Sequence, residues 1–251
     1  MKVAVLSDIH GNLPALEAVL ADVDAAGADA IVLNGDLAGG PMPAETVDRL
    51  AALGDRAVWV GGNGDRWLVE AFDGTYQPTG GSTDEQIRWA AGQLSQRHRD
   101  RLAGLPLTAS LEVDGLGPVG FCHATARDDN EMILVDSDID HYRAAFASLP
   151  EPVVVVGHSH MPYDRLVDRR RIVNPGSVGM PYGHTGAAWA LLGPDVVLRR
   201  TGYHAGAAAD RLATSTMPGI EKFIAQNVRV TPSDAEALAV FAATVQQQQG
   251  R

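Results

Sequence analysis

Five apolar runs in this chain stop abruptly at acids, imidazoles or amides. Val3–Leu6 runs into Ser7-Asp8-Ile9-His10-Gly11-Asn12, Ala30–Leu33 into Asn34-Gly35-Asp36, and Ala57–Val60 into Gly61-Gly62-Asn63-Gly64-Asp65. Pro118–Cys122 meets His123, and Val153–Val156 meets Gly157-His158-Ser159-His160. Runs this apolar belong inside a sheet, and the polar groups that follow cannot lie unpaired in a dry core. Between the first two runs, Leu13, Leu16, Val19, Leu20 and Val23 recur at helical spacing, with Asn12 as cap, Pro14 in the first turn and Gly27 closing the helix. A second helix is predicted around Ala44–Leu53. Strands that alternate with helices and end in polar, Gly-containing turns specify an α/β sheet. Strand ends on one edge of such a sheet converge in space, and that edge is where these folds place their sites.

Downstream, Thr83 with Gln86 predicts a capping box for a helix reaching about Leu102. Strands near Thr108–Val113 and Pro118–Cys122 precede a loop from His123 to Glu131 and a helix over Ile139–Ser148. Short strands near Tyr163–Val167, Arg171–Val173, Ala187–Leu192 and Val196–Arg200 read as an antiparallel second half. From His204 the chain is Ala-rich and helical, fading into a low-complexity tail at Gln246–Arg251. The expected organisation is a main domain over 1–204 with a helical insertion at about 66–104. A helical extension, 205–251, then packs on the core or at an interface.

The formal net charge of −11 excludes a general nucleic-acid or anionic-membrane binder, whose affinity comes from basic patches. An anionic substrate stays open, because bound metal ions reverse the local field. Cys122 is the single cysteine, so no intrachain disulfide forms; it reads as a small buried hydrophobe at a strand end. No apolar stretch has the length of a membrane span, and Met1 begins no charged, apolar and cleavable leader. The expectation is a cytoplasmic protein; a homo-oligomer is left open.

Taken singly, an Asp after a strand is a turn former or helix cap, and a lone His123 is a satisfied structural histidine. Gly-His-Ser-His says more, since His158 and His160 share a face. Together, Asp8, His10, Asp36, Asn63, His123, His158 and His160 are a donor set for two divalent ions, of which Mn, Fe, Zn, Ni and Co all suit these ligand types; Mn is the expected cofactor, though the ligand types do not single it out. With Asp8 and Asp36 as the only charged ligands, such a centre stays net positive and favours a phosphate ester. Two ions about 3.5–4 Å apart lower the pKa of a bridging water and clamp phosphoryl oxygens during in-line attack.

The ordered motifs Asp-Ile-His-Gly-Asn, Gly-Asp, Gly-Asn-x-Asp, Gly-His-Ser-His and Asn-Pro-Gly-Ser-Val-Gly, from Val3 to about Val178, resemble the calcineurin-like metallophosphoesterases, closest to their small bacterial and archaeal phosphodiesterase branch. The resemblance implies a four-layer α/β/β/α sandwich of two mixed β-sheets flanked by helices. It implies one metal on Asp8, His10, Asp36 and His160 and another on Asp36, Asn63, His123 and His158, with Asp36 bridging. Asp36, Asn63, Asp65 and His123 form the expected catalytic set, and a bridging hydroxide attacks phosphorus. The pattern departs from the family at Gly64, where many members carry the histidine of Gly-Asn-His-Asp, and at Ala124, where Gly is common. Loss of a general acid costs roughly 10²–10⁴-fold, most on poor leaving groups. Gly64 is therefore read as narrowing the substrate.

Asn12, Asn63, Arg66, Arg127 and His184 are the expected substrate-binding residues, with His184 the candidate to replace the missing acid. Asn174-Pro175-Gly176-Ser177 reads as a supporting turn, and His98 and His141 as surface positions. Gly74–Ser82 and Asp128–Asp136 are the expected specificity loops. The expectation is a phosphodiesterase acting on a small phosphate ester. The alternatives are a phosphomonoesterase, including a protein serine/threonine phosphatase, or a non-catalytic scaffold like the retromer subunit that shares this fold; an intact ligand set disfavours the scaffold.

Overall fold

The computed structural model describes residues 1–78, 80, 81 and 83–249. Thr79 and Ser82 of the expected specificity loop, and Gly250 and Arg251 of the expected tail, lie outside the described residues. The chain begins β1 (Val3–Leu6), α1 (Leu13–Ala25), β2 (Ala30–Asn34), α2 (Pro43–Ala51) and β3 (Ala57–Val60). Three helices follow, α3 (Asn63–Phe72), α4 (Thr83–Ala91) and α5 (Gln96–Ala103). Next come β4 (Thr108–Val113), β5 (Gly117–Cys122), α6 (Ile139–Ala145) and β6 (Val153–Val155). The strands β7 (Tyr163–Val167), β8 (Arg170–Asn174), β9 (Ala187–Leu192) and β10 (Val196–Thr201) lead to α7 (Ala205–Leu212), α8 (Ile220–Ile224) and α9 (Asp234–Gln249).

Two five-stranded sheets result, ordered β10-β9-β1-β2-β3 and β4-β5-β6-β8-β7. β1, β2 and β3 are parallel and β9 joins β1 antiparallel; in the second sheet β5, β6 and β8 are parallel, with antiparallel edges. Strand alternation divides the core into layers. Val3 and Val5 face Val119, Phe121, Val153 and Val155 across the gap between the sheets. Ala4 and Leu6 face the other way, onto Leu16, Val19 and Leu20 of α1. In the second sheet, Cys122, Val154 and Ile172 pack outward on Tyr142 and Phe146 around α6. This is the expected α/β/β/α sandwich.

Five local expectations are corrected. β9 and β10 belong to the first sheet, not to an antiparallel second half: every residue of β9 is buried, which suits a strand covered on both faces beside β1. The single helix over Thr83–Leu102 is two, because Ser95 starts a new one. Its Oγ accepts from His98 N at 3.3 Å while Ser95 N donates to His98 Nδ1, so His98 is a buried capping residue rather than a surface one. Thr83 is the first residue of α4 instead of its cap. The helix at Ile139 stops at Ala145, three residues short of Ser148.

Candidate metal centre

The turns after β1 and β2 are laced together by backbone hydrogen bonds. Asp8 N donates to Gly35 O at 3.0 Å, His10 N to Asp36 O at 2.9 Å and Gly11 N to Leu37 O at 3.1 Å. From the other sheet, Gly157 N donates to His123 O, and the Asn174–Gly179 turn holds β1's end through Val178 N to Ser7 O and Gly179 N to Asp8 O. Contacts this close require glycine: a Cβ on Gly35 would lie 2.4 Å from His123 Nδ1, and one on Gly157 would lie 2.0 Å from Ser7 Oγ. Sharp turns also force side-chain-bearing residues into the left-handed region. Asp8, His10, Asp36, His158 and His160 have φ between +47° and +62°. Each such residue carries strain of order 1–3 kcal/mol, and strain of this kind collects at functional sites.

Two clusters form where the sheets meet. The ligand atoms of Asp8, His10 and His160 lie within 4.8 Å of one another, as do those of Asp36, His123 and His158. His160 Nε2 is 3.2 Å from Asp8 Oδ1 and 3.1 Å from His10 Nε2. His123 Nε2 is 3.4 Å from Asp36 Oδ1, and His10 Nε2 is 3.7 Å from Asp36 Oδ2, so Asp36 reaches toward both clusters. Asn63 opens α3 between Gly62 and Gly64; Gly64 N donates to Asp36 Oδ1 at 2.6 Å.

Backbone carbonyls orient the imidazoles. Gly39 O, Asn34 O and Met180 O lie at hydrogen-bond distance from Nδ1 of His10, His123 and His160, at 3.3, 2.8 and 3.0 Å. A proton placed on each Nδ1 leaves the Nε2 lone pair facing inward, the arrangement a metal-ligating histidine uses. Asp8 Oδ1, Asn63 Oδ1, His123 Nε2 and His158 Nε2 are buried with no hydrogen-bond partner. Burying four polar atoms without a hydrogen bond costs free energy that a bound cation offsets, so this donor set fits divalent metal.

The charges are tightly coupled. Burial disfavours a charged His123, but the Asp36 and Asp8 carboxylates outweigh it and lift its pKa to about 10. Burial, reinforced by His123, pushes His158 down to about 4. Burial and then the neighbouring Asp36 charge push Asp65 up to about 7.

The other expected site residues are placed differently. Asp65 Oδ2 accepts from Asp36 N and Gly62 N, and its Oδ1 from Leu37 N, so both oxygens hold backbone. Asn12 Oδ1 caps α1 at Ala15 N, and its Nδ2 donates to Gly179 O. Arg66 forks onto Asp129 and also reaches Glu70. Arg127 forks onto Glu131, which His141 also contacts, so His141 is largely covered rather than a surface residue. His184 is exposed in the loop after Tyr182. Three contributors lie outside the expected ligand and substrate-binding set. Ser7 Oγ donates to Asp8 Oδ2 at 2.5 Å, Ser177 Oγ donates to Asp8 O at 2.7 Å, and the Tyr182 ring stacks on His160 at 5.6 Å. Ser177 lies in the turn read as supporting; nothing in the pattern points to Tyr182.

Residues 1–194 match the calcineurin-like phosphoesterase superfamily domain. The chain is 30% identical to the protein MJ0912 of Methanocaldococcus jannaschii over 199 residues, 71% of this chain and 76% of that one. It is 26% identical over 206 residues to the phosphodiesterase YfcE of Escherichia coli K12, covering 78% of this chain and 90% of the relative. Among solved structures, a metallophosphoesterase from Sphaerobacter thermophilus superposes with a TM-score of 0.70 at 26% identity, covering 89% of this chain and 97% of that one. The protein PH1004 from Pyrococcus horikoshii shares the fold at a TM-score of 0.76 and 22% identity, over 89% and 96% of the two chains. The chain belongs to the calcineurin-like phosphoesterase superfamily, in its small bacterial and archaeal branch, and is a metal-dependent phosphoric ester hydrolase.

Proposed function

We propose that the chain is a binuclear phosphodiesterase acting on a small phosphate ester. The observation that carries this reading is the set of four buried ligand-type atoms without a hydrogen bond, on Asp8, Asn63, His123 and His158. Asp8, His10, Asp36 and His160 would hold one divalent ion and Asp36, Asn63, His123 and His158 the other, Asp36 being shared; Mn is the first choice, ahead of Fe, Zn, Ni or Co. Ions bound there supply an activated water and charge stabilisation for in-line attack at phosphorus.

The chain's own residues favour a diester. Gly64 offers no proton donor beside Asn63, and Asp65 has both oxygens on backbone amides, so it positions the Asp36 turn rather than orienting an acid. Arg66 and Arg127 are neutralised by Asp129, Glu70 and Glu131, which leaves neither free for the second charge of a monoester dianion. Both features suit a monoanionic diester with an acidic leaving oxygen.

Residues 1–204 would form the catalytic body with the 66–104 helices inserted, and 205–251 an extension packed on it. Arg211 of α7 pairs with Glu17 of α1, and Ala237 of α9 packs with Met132, Leu134 and Met161, in keeping with that division. A cytoplasmic setting accords with a single buried cysteine and, among the described residues, with no helix long and apolar enough to cross a membrane.

The test is hydrolysis of an aryl phosphodiester and the matching monoester by chelated protein, before and after adding Mn²⁺. Metal-restored activity favouring the diester is expected, with two ions bound per chain. Asp36→Ala should lower both metal content and turnover; unchanged values for both would sink the shared-ligand reading. A monoester preference would replace the diesterase reading with a phosphatase.

A further inference from the structure

Beside the metal centre, the second sheet and α9 flank a pocket of about 360 Å³, open on one side, whose lining includes Val135, Met161, Tyr182, His184, Asp234 and Leu238. Tyr182 joins this pocket to the chemistry: its ring stacks on His160 with an interplanar angle of 25°, and it meets Phe241 of α9 edge-on at 5.9 Å. The loop carrying it is tied at both ends. His160 Nδ1 is held at Met180 O, and Gly183 N donates to Pro232 O at 2.9 Å, just ahead of α9. Ala237 of the same helix is buried among Met132, Leu134 and Met161, which fixes α9 as a wall. Asp234, Leu238 and Phe241 lie beyond the residues matched to the superfamily domain, so this wall belongs to the extension.

We infer that this pocket is the subsite for a flat aromatic ester group of the substrate, with Tyr182 and Leu238 as its specificity-determining residues. The inference rests on the phosphodiesterase reading, and names the class of diester. A cavity of about 150 Å³ accommodates benzene, so this one holds a single or fused ring. Its apolar walls are flanked by an imidazole and a carboxylate, the usual composition of a small-molecule site: an apolar body with a few polar groups to orient the ligand. Tyr182, stacked on His160, and Met161, the next residue in the chain, link the lining of this pocket to the cluster of Asp8 and His160, and the inference takes one ester arm of a phosphate held at that cluster into this space. Since Arg66 and Arg127 are already paired, the organic arm is left to supply discrimination.

Two diesters that share a 4-nitrophenyl leaving group test the inference, one with phenyl as the second arm and one with methyl. In each, water adds at phosphorus, 4-nitrophenolate leaves with the P–O electron pair, a proton passes to solvent, and the phenyl or methyl monoester remains. On the Mn²⁺-loaded full chain, kcat/KM should favour the phenyl diester about tenfold or more, and Leu238→Asp and the milder Leu238→Ala should reduce that ratio severalfold. Calorimetry with phenylphosphonate and methylphosphonate, which have no ester bond to cleave, gives the second readout. The same phenyl preference is expected in binding, and the same loss of it in both variants. Equal phenyl-to-methyl ratios in wild type and variants, in turnover and in binding, would overturn the subsite and leave the phosphodiesterase reading standing. If neither diester is hydrolysed, the phosphodiesterase reading fails, and the phosphonate comparison still decides for or against the pocket.

Discussion

Asp65 is a carboxylate 1% exposed, with three backbone N–H groups on its two oxygens: Asp36 N at 2.9 Å and Gly62 N at 3.1 Å on Oδ2, and Leu37 N at 2.9 Å on Oδ1. It fixes the turn that carries Asp36. Asp65→Asn keeps one oxygen, which can still serve Asp36 and Gly62, but turns an NH₂ toward Leu37 N and strands one buried donor. That costs about 1–3 kcal/mol. The amide also removes the repulsion from Asp36 that helps push Asp65 up to about 7, so the net loss falls toward 1 kcal/mol. Asp65→Ala strands all three donors, and the expected loss is roughly 3–5 kcal/mol. Denaturant unfolding of chelated protein reads these terms without interference from metal affinity, and metal content is then measured after reloading. The order wild type, Asn, Ala is expected in stability, with metal affinity falling in the same order. If Asn and Ala both match wild type in stability, or if Ala is the more stable of the two, the positioning role is wrong.

Burial acts to raise the pKa of Glu131, but hydrogen bonds from Arg127, His141 and Thr125 hold it down to about 2. Its folded value lies below its unfolded one, so its stabilisation is complete above about pH 4.5 and is lost as pH falls toward 2. After allowance for solvent screening it is worth about 1–2 kcal/mol, and Glu131→Gln should lose that amount at pH 7 and flatten the acid limb of a stability–pH curve. His158 combines φ +62° with an unpartnered buried Nε2; His158→Asn, which tolerates that backbone better, should stabilise chelated protein by about 1 kcal/mol while lowering metal content. Gly157→Ala places a Cβ 2.0 Å from Ser7 Oγ and 2.8 Å from Asp8 Oδ2, and overpacking of this kind costs about 1–3 kcal/mol. Gly104→Ala, whose nearest contact would be 3.6 Å, should stay within about 0.5 kcal/mol, so equal melting shifts for the two glycines would refute the steric account.

The elements legible in the sequence were those whose signals are local. β1 and α1 could be read because four aliphatic residues, a capping Asn12 and a regular apolar stripe lie next to one another. The histidines and aspartates of the site could be read because no core tolerates so many polar groups at strand ends. What escaped depends on distant partners. The placement of β9 beside β1 is decided by pairing across most of the chain. The break before α5 is decided by a Ser95 cap that one more polar residue in a polar run does not announce. In the sequence Arg66 and Arg127 look like anion binders, because Asp129 and Glu131, which neutralise them, do not look like partners until the loop folds back. Tyr182 had no signal, since a lone tyrosine in a Gly-rich loop gives no hint of stacking on His160.

Each candidate ion site draws donors from both halves of the sandwich: Asp8 and His10 from the end of β1 with His160 from beyond β6, and Asp36 from the end of β2 with His123 from β5 and His158. A bound cation would therefore act as a clasp between the sheets, the cross-link that a chain with one cysteine cannot obtain from a disulfide. Binding energy at such a site adds to the cohesion of the whole sandwich, because the sheets cannot separate at that edge without giving up ligands. Chelation should loosen the edge lined by Asp8, Asp36 and His158 first and leave the far ends of β1 and β6 packed on each other. On that reading, metal supply would set mechanical integrity as well as turnover.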